Sequence, residues 1–596
     1  MCDCTLFFFS RIFQVFDAGE VFGIMRVDEV DDDEDQIEQK SSNPGNEPVY
    51  KVIVTGVNGL QSSDPNSIFL VDHAWTYRVQ HARQQLREVP GLLHRMANLV
   101  GVEFHGEVPD EDVIDIVMEE TWRYNQTYQL SVGSAEQKVP VWYIMDEFGS
   151  HIQHSDEPTS CAVPFFHMVD QTAYTIFWPL RDLENGDELT RDYTYGELDP
   201  LIRKCMLLPW SYTDLRDINY HVTEPPDDYY KTIFTENQET LPVPKEPLSF
   251  PKDKVFKVYT EVEKVQQNLT HPRFVLTENQ DEADILFMFS HIKDYRKLSE
   301  ERPHVMVNQF PCENLVTVKD CLASIARRVG NIEGGPRWLP LTFNLRKELP
   351  QFVSCFQHRE DRGEDNHWIC KPWNLARGLD THISNKLNCI IRHRESTPKV
   401  VCKYVEKPVL FQREDVGMVK FDIRYILLLR SVQPLKLYAY NVFWLRFANR
   451  AFSLDCFDDY QKHFTVMNYA EEAPLKQIHY DEFIPLFEKQ YPEHRWNDIQ
   501  VKIFKAINDL FQAATSKPAP FGICNYPLSR AVYAVDLMLK WDTTMEGRNN
   551  MEPQILEINF NPDCNRACKY HPSFFNDIFS TLFLDETEDR NVACIV

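Results

Sequence analysis

The sequence predicts an α+β protein of more than one domain, in which a mainly β domain is followed by a larger domain of mixed helices and strands. Its 596 residues exceed what one hydrophobic core usually organises. Hydrophobic residues make up 43% of the chain, which is enough for several cores. Six prolines lie among polar residues in 224–251, a composition that favours a linker between the two domains.

The first predicted domain spans residues 47–223 and follows an N-terminal segment, 1–46. Residues 28–40 of that segment are mostly acidic, and turn-forming residues follow at 41–46, so we expect an exposed loop. Hydrophobic spacing then predicts the elements of the domain. They are strands at 49–55, 141–149 and 173–180 and a helical region at 72–100 that Pro90 interrupts.

The second predicted domain spans residues 252–596. Strand and helix alternate in its first part, and long strands typical of large antiparallel sheets follow. The predicted strands are 255–260, 283–290, 400–411, 418–431 and 530–542, and the clearest helix is 319–328.

Composition excludes several classes of protein. The net charge of −28 repels polyanions and argues against direct nucleic-acid binding. The apolar runs are far shorter than the ~20 residues that span a bilayer, so we expect no membrane segment. The fifteen cysteines have no metal-site spacing, which favours free thiols and a cytosolic or nucleocytoplasmic protein. An acidic partner would need a local basic face, and the candidate arginines are Arg327, Arg328, Arg392 and Arg394.

Residues 187–196, DELTRDYTYG, resemble the ELTxDYxY motif that closes the active site of SET-domain lysine methyltransferases. The upstream segment 150–159 occupies the place of the asparagine-histidine-serine segment of that family. Here Gln153 stands where the family has the asparagine that binds S-adenosylmethionine, Thr159 replaces a second asparagine, and no cysteine cluster follows. These departures disfavour S-adenosylmethionine binding and methyl transfer, because catalytic positioning degrades over ~1 Å. Tyr193 either orients a lysine amine or belongs to the core, and we favour the core.

The second domain carries a series of motifs in the order found in the tubulin tyrosine ligase family, and residues 250–590 resemble that family. The motifs are Lys371-Pro372, Lys403-Tyr404-Val405, Lys420-Phe421-Asp422-Ile423-Arg424, Arg446, Asp536 and Glu557-Ile558-Asn559. The resemblance implies an ATP-grasp-like ligase domain behind a SET-like domain. It also implies tubulin as a partner, with histones or other modification enzymes as further candidates, and a cytoplasmic location that extends to the cytoskeleton, the centrosome or the nucleus.

An ATP-dependent amino-acid ligase converts a carboxylate into an acyl phosphate that an amine then attacks. This chemistry requires Mg²⁺ on oxygen ligands and cations beside the phosphates. Glu557 and Asn559 are two residues apart on a strand and share a face, and Asp536 offers a third oxygen ligand to the metal. The resemblance assigns the remaining roles: Lys371 and Lys420 contact ATP, Lys403 lies beside the adenine, and Arg424 and Arg446 steady the γ-phosphate and the acyl phosphate.

Other residues depart from the ligase pattern. Residues 374–380 contain one glycine where several backbone amides should approach phosphate, and Asp380 there is expected to repel ATP. Cys402 replaces the usual glutamine before the Lys-Tyr pair. We therefore expect a regulator of tubulin-tail tyrosination, detyrosination or polyglutamylation that retains weak ATP and Mg²⁺ binding and also influences histone lysine methylation. The alternatives are an active ligase that adds tyrosine, glutamate or glycine, and a lysine methyltransferase.

Overall fold

The computed structural model describes residues 20–27, 49–130, 133–134, 136–169, 171–246, 248–329, 335–373, 375, 378–465, 478–543, 547 and 549–596. These residues form two compact units. The first unit contains the chain up to Asp214 together with Lys386–Thr397, and the second contains Leu215–Asn385 and Pro398–Val596. The acidic loop predicted at 28–40 lies outside the described residues.

The first unit is built from short antiparallel sheets and helices. β1 pairs with β2, β9 lies between β3 and β8, β6 lies between β4 and β5, and β10 pairs in parallel with β7. The strands are β1 Phe22–Val27, β2 Val49–Val54, β3 Phe69–Val71, β4 His73–Tyr77, β5 Gln126–Tyr128, β6 Val141–Met145, β7 Gln153–His154, β8 Ser160–His167, β9 Thr172–Pro179 and β10 Thr190–Arg191. The helices are α1 Val79–Glu88, α2 Leu92–Leu99, α3 Glu111–Glu120, α4 Glu147–Ser150 and α5 Pro200–Met206, with 3-10 turns at Pro65–Ser67 and Thr121–Arg123.

Strand β6 separates two hydrophobic clusters of the first unit. Successive side chains of a strand point to opposite faces of the sheet. Trp142 and Ile144 therefore pack with helices α1 to α3, whereas Tyr143 and Met145 pack with β2, β3 and β9. Trp142 to Met145 are therefore buried on both faces of the sheet.

The second unit combines a parallel sheet with antiparallel sheets. The sheet orders are β12-β11-β13-β14, β15-β18-β16-β17, β19-β20 and β24-β23-β21-β22-β25. The strands are β11 Phe256–Thr260, β12 Phe274–Leu276, β13 Ile285–Phe287, β14 Met306–Val307, β15 Thr342–Asn344, β16 Trp368–Pro372, β17 His382–Ser384, β18 Lys399–Lys403, β19 Phe411–Arg413, β20 Gly417–Val419, β21 Phe421–Val432, β22 Leu435–Phe447, β23 Ala531–Thr543, β24 Asn549–Phe560 and β25 Val592–Cys594.

Helices cover these sheets. Those of the second unit are α6 Asp227–Asn237, α7 Glu263–Asn268, α8 Tyr295–Glu301, α9 Asn314–Thr317, α10 Lys319–Ala326, α11 Leu349–Asp361, α13 Tyr460–His463, α14 Tyr480–Gln490, α15 Trp496–Thr515, α16 Asn565–Tyr570 and α17 Phe574–Phe579. A 3-10 turn lies at Gln280–Glu282, and a π turn at Ser580–Leu584 follows α17. Helix α12 Leu387–Arg392 and the 3-10 turn His393–Glu395 belong to the first unit.

Strand β21 runs through the centre of the large sheet with a core on each face. Tyr425 and Leu427 belong to the cluster under α15, and Ile426 and Leu428 belong to the cluster under α17. Strand β23 follows the same rule, and its even-numbered residues face the α17 side. A charged residue at an even-numbered position near one end of either strand therefore points to the α17 face of the sheet.

The mixed helix and strand content confirms the predicted α+β class, and several local elements differ from the expectation. Residues 73–77 form strand β4 rather than the start of a helix, because Trp75 and Tyr77 are buried beside β6. Residues 22–27 of the N-terminal segment pair with β2. Within 224–251, which composition describes as a linker, α6 carries the fully buried Tyr230, so tertiary packing overrides the composition there.

Among the described helices, none combines the length and the low polarity that crossing a membrane requires.

Replacement of Leu427 by Ala should destabilise the second unit by about 2–5 kcal/mol, because this fully buried side chain would leave a cavity in the α15 core. Replacement of Val501, which is 61% exposed on α15, by Ala should change the free energy of unfolding by less than about 0.5 kcal/mol. Urea unfolding monitored by circular dichroism measures both, and equal effects would contradict the two-faced sheet.

Candidate functional site

The second unit contains a cavity of about 990 Å³ whose wall includes residues of β16, β18 and β21 to β24. This volume is at the upper end of the roughly 300–1,000 Å³ typical of small-molecule sites. Eight Lys and Arg side chains and five Asp and Glu side chains line it, so the cavity is locally positive in a chain whose net charge is −28. Such a wall attracts an anionic ligand.

Strand register brings the predicted charged residues together. Arg424 on β21 lies opposite Asp536 on β23, and Asp536 lies opposite Glu557 on β24. On the other side of β21, Asp422 lies opposite Arg446 of β22. All five side chains line the cavity.

Two arginines and two aspartates form a closed ion-pair network at this wall. Arg424 binds Asp536 through two hydrogen bonds of 2.7 Å, from Nε to Oδ1 and from Nη2 to Oδ2. Arg446 Nε donates to Asp422 Oδ1 at 2.7 Å, and Arg446 Nη2 lies 3.0 Å from Asp536 Oδ2. Thr465 Oγ1 donates to Asp422 Oδ2 at 2.5 Å. Each guanidinium of this network is therefore already bound to a carboxylate.

In this network, burial and the oppositely charged partners shift the pKa values in opposite directions. Burial raises the pKa of Asp422, although the Arg446 guanidinium opposes the shift. Burial disfavours the charged form of Arg424, but the Asp536 carboxylate outweighs it and raises the pKa of Arg424. The charged pairs thus compensate one another inside the unit.

Glu557 and Asn559 face the cavity next to this network. Asn559 Nδ2 donates to Glu557 Oε1 and to Asp536 Oδ2, each at 3.2 Å, and Lys319 Nζ lies 3.1 Å from Glu557 Oε2. Burial disfavours ionisation of Glu557, but Lys319 and Lys371 outweigh it and hold the pKa of Glu557 far below its usual range. Sequence reasoning missed Lys319, which begins helix α10 and has no local signal that links it to a strand more than two hundred residues away.

An irregularity in strand pairing aims Glu557 into the cavity. Asp536 pairs with Glu557, but the next residue, Leu537, pairs with Ile555, so β24 has one extra residue there. In a regular strand, Ile555 and Glu557 would share a face. The extra residue lets Ile555 contact the hydrophobic core while Glu557 reaches the charged wall.

Lys371 and Lys420 form the cationic part of the wall. Lys371 lines the cavity and has no hydrogen-bond or ion-pair partner among the described residues. Lys420 Nζ donates to the Tyr404 hydroxyl at 2.7 Å. Burial, together with the nearby Lys371 ammonium, lowers the pKa of Lys420 to about 7. A phosphate between these two ammonium groups would relieve their repulsion.

Lys403 reaches the cavity wall but is held by carboxylates. Its Nζ donates to Asp365 Oδ1 at 2.5 Å and to Glu406 Oε2 at 3.2 Å. Burial opposes ionisation of Asp365, but Lys403 and His367 outweigh it and lower its pKa to about 2. The predicted place of Lys403 beside an adenine stays a prediction.

The expectation that Asp380 repels a phosphate is wrong, because neighbouring side chains compensate its charge. The Asp380 carboxylate is buried, receives a hydrogen bond of 2.5 Å from Lys399 Nζ and lies 2.9 Å from His382 Nε2. Its charge is thus matched within the unit. Of the predicted phosphate segment 374–380, residues 374, 376 and 377 lie outside the described part of the chain.

The oxygen donors on the wall fit Mg²⁺ that arrives with phosphate. Mg²⁺ usually takes one or two protein carboxylates and completes its shell with phosphate oxygens and water. Glu557 and Asn559 supply such donors side by side. In the described part of the chain, no three His, Cys, Asp or Glu side chains cluster as a preformed metal site. Asp536 shares both oxygens with arginines, so its role as a third ligand stays a prediction.

In the first unit, the groups named by the SET-like motif are bound to the backbone. The Tyr193 hydroxyl donates to the Ile152 carbonyl at 2.8 Å. The Gln153 amide Nε2 donates to the Tyr50 carbonyl at 3.0 Å. Thr159 Oγ1 donates to the Glu188 carbonyl at 3.2 Å. All three side chains therefore stabilise the local backbone through hydrogen bonds.

The four arginines named as candidates for a basic face do not form one, because each of them is paired with a carboxylate and largely buried. Arg327 pairs with Glu348, Arg328 with Glu224, Arg392 with Glu395 and Arg394 with Glu197. Their side chains are only 3–12% exposed.

Comparison with known proteins matches both parts of the chain to one family. Residues 40–214 match the tubulin tyrosine ligase SET-like domain, and residues 297–592 match the tubulin-tyrosine ligase family. The chain is 66% identical to tubulin–tyrosine ligase-like protein 12 of Mus musculus over 587 residues, which cover 98% of this chain and 92% of the relative.

More distant relatives give the same result. The Caenorhabditis elegans tubulin–tyrosine ligase-like protein 12 is 34% identical over 649 aligned positions, with 98% of this chain and 94% of the relative covered. The probable tubulin polyglutamylase TTLL2 of Mus musculus is 25% identical over 306 positions, with 49% of this chain and 54% of the relative covered. The chain, with its SET-like domain followed by a ligase-type domain, therefore belongs to the tubulin–tyrosine ligase family.

Proposed function

We propose that this chain binds ATP with Mg²⁺ in an ATP-grasp-like second unit and regulates the modification of tubulin tails, without ligating amino acids itself. The observation that carries this proposal is the closed network of Arg424, Arg446, Asp422 and Asp536. Support for tubulin as the partner comes from the names of the relatives, which are tubulin-modifying enzymes or resemble them.

The network separates nucleotide binding from turnover. A ligase uses cations to stabilise the charge that develops on the transferred phosphoryl group. Redirecting Arg424 to phosphate would remove two of the hydrogen bonds that Asp536 receives. Redirecting Arg446 would leave Asp422 with the Thr465 hydroxyl as its hydrogen-bond partner among the described side chains. Both aspartates are only 2–3% exposed. Breaking a buried pair in this way costs ~3–5 kcal/mol, or at least about a hundredfold in an equilibrium. The network therefore opposes phosphoryl transfer at this wall.

Nucleotide binding needs none of these arginines. Lys371 is available for phosphate, and Lys420 adjoins it. Glu557 and Asn559 would hold Mg²⁺, which neutralises phosphate charge when bound. Lys319 would then move from Glu557 towards the phosphates, because the metal replaces it as the partner of the carboxylate. Apolar residues of β16 and β23 line the same cavity and offer a surface for the base, namely Ile369 and Met538.

The first unit serves, in this proposal, as a binding module. Tyr193 and Gln153 are hydrogen-bonded to the backbone, which disfavours S-adenosylmethionine binding and methyl transfer. An influence on histone lysine methylation would then act through contacts with histones or with other modification enzymes. One fold can host unrelated functions, so a SET-like fold does not require methyl transfer.

With Mg²⁺ and ATP, the purified wild-type chain should incorporate no more radiolabelled tyrosine, glutamate or glycine into tubulin than the Glu557→Ala variant does. The reason is that the ion-pair network holds Arg424 and Arg446 away from phosphate. An active ligase of the family, assayed in parallel, controls for the substrate. Incorporation by the wild-type chain that the Glu557→Ala variant loses would establish the alternative, an active ligase.

The affinity for ATP should fall as the pH rises above 7. In the chain without nucleotide, Lys420 loses its proton near pH 7. A bound phosphate favours the charged form of Lys420, so nucleotide binding takes up a proton above this pH. Affinity then falls by up to about tenfold per pH unit until the pKa of the complex is reached. Calorimetric titration at several pH values with Mg²⁺ in excess measures this slope. Lys420→Met should lack it, and the same slope in both proteins would contradict the role of Lys420.

A further inference from the structure

The first unit contains a segment that is distant from it in sequence. Residues Lys386–Thr397 lie between β17 and β18 of the second unit in the chain but belong to the first unit in space. The segment consists of helix α12 and the turn His393–Glu395. Its sequence, KLNCIIRHREST, places a mainly apolar stretch before the basic run Arg392-His393-Arg394.

Arg392 of this segment binds the end of a helix. Its Nε donates to the Trp122 carbonyl at 3.0 Å, and its Nη2 donates to the Asn125 carbonyl. The Trp122 carbonyl lies in the 3-10 turn that continues α3, and the Asn125 carbonyl lies just beyond that turn. The last carbonyl groups of a helix have no intrahelical donors. A cation is favourable there because it also meets the negative end of the helix dipole. The guanidinium carbon lies 5.0 Å from the centre of the Trp210 ring.

The neighbours of Arg392 extend the contact. His393 packs against Trp122 and Trp142, with ring centres 4.9 and 5.8 Å away. Arg394 pairs with Glu197 at 2.6 Å, and these side chains are 12% and 19% exposed. Two backbone carbonyls, aromatic rings and a glutamate of the first unit thus contact one short basic segment.

We propose that this part of the first unit is a binding site for an arginine-containing basic segment, and that the chain keeps it closed with its own residues 386–397. Its ligand class is an amphipathic basic peptide whose arginine fills the position of Arg392. Four groups define the site: the carbonyls of Trp122 and Asn125, the Trp210 ring and the Glu197 carboxylate.

The proposed site lies next to Tyr193 of the SET-like motif. The Trp210 ring that contacts Arg392 also packs on Tyr193, with ring centres 4.5 Å apart. The docked segment therefore contacts the ring that packs on Tyr193. In this proposal, a basic segment of a partner protein takes the same position by displacing residues 386–397.

The test adds a labelled peptide of residues 386–397 to the full chain and to a full chain whose residues 386–397 are replaced by a Gly-Ser linker of equal length. Fluorescence anisotropy should show binding to the replaced chain alone, since the wild-type site is filled. A peptide with Arg392→Ala should bind at least about tenfold more weakly, because hydrogen bonds from a charged donor are lost.

A matched control is a peptide with Lys386→Ala. Lys386 pairs with Glu119 at 2.7 Å, but both side chains are about half exposed, so its loss should change affinity by less than about fivefold. Equal binding of the Arg392→Ala peptide, equal binding of the peptide to the wild-type chain, or no binding to a folded replaced chain would overturn the proposal.

If the replaced chain does not fold, a second measurement tests whether Arg392 holds the docked segment in place. In the full chain with the single change Arg392→Ala, amide hydrogen exchange at residues 387–395 and 121–126 should be at least about tenfold faster, because the docked segment opens more often. The variant Lys386→Ala should exchange within about fivefold of wild type. Unchanged exchange in Arg392→Ala would mean that Arg392 does not hold the segment.

Discussion

The charged wall of the second unit depends on the register between strand β21 and its two neighbours. This register places Arg424 opposite Asp536 and Asp422 opposite Arg446, so the two cations and the two anions meet in pairs within a buried sheet. A shift of one residue would turn all of these side chains towards the opposite face, where hydrophobic residues pack under α15. The same hydrophobic residues therefore fix both the core and the network.

In our proposal, this arrangement lets a chain with the residues of a ligase bind a nucleotide without using it. The groups proposed to hold the nucleotide and the groups expected to stabilise phosphoryl transfer are different side chains. Lys371 is without a partner in the described part of the second unit, whereas Arg424 and Arg446 are bound to carboxylates whose own exposure is almost zero. Breaking such a buried pair costs ~3–5 kcal/mol, far more than a surface pair costs.

Sequence reasoning could predict the parts of the site that depend on local periodicity. Spacing by two residues placed Glu557 and Asn559 on one face, and the motif order indicated the residues that meet at the cavity. It could not predict the pairing of Lys319 with Glu557, because that contact depends on how a helix packs against a distant strand. The irregularity at Ile555 is equally non-local, since it exists only in the pairing of β23 with β24.

The same limit explains the differences in the fold. Residues 73–77 have a helical pattern, yet burial of Trp75 and Tyr77 beside β6 stabilises a strand. Prolines and polar residues at 224–251 resemble a linker, but Tyr230 anchors α6 in the hydrophobic core. Arg392 and Arg394 lie in a basic run that is typical of an exposed surface. Only the tertiary structure shows that Arg392 binds backbone carbonyls and that Arg394 pairs with Glu197.

The most direct test of the central claim is calorimetric titration of ATP with Mg²⁺ into the wild-type chain and into Lys371→Ala. We expect saturable binding to the wild-type chain and at least about tenfold weaker binding to the variant, because the variant lacks the Lys371 ammonium, which is available for phosphate in the wild-type wall. No binding to the folded wild-type chain, or equal affinity in the two proteins, would contradict a nucleotide site at this wall.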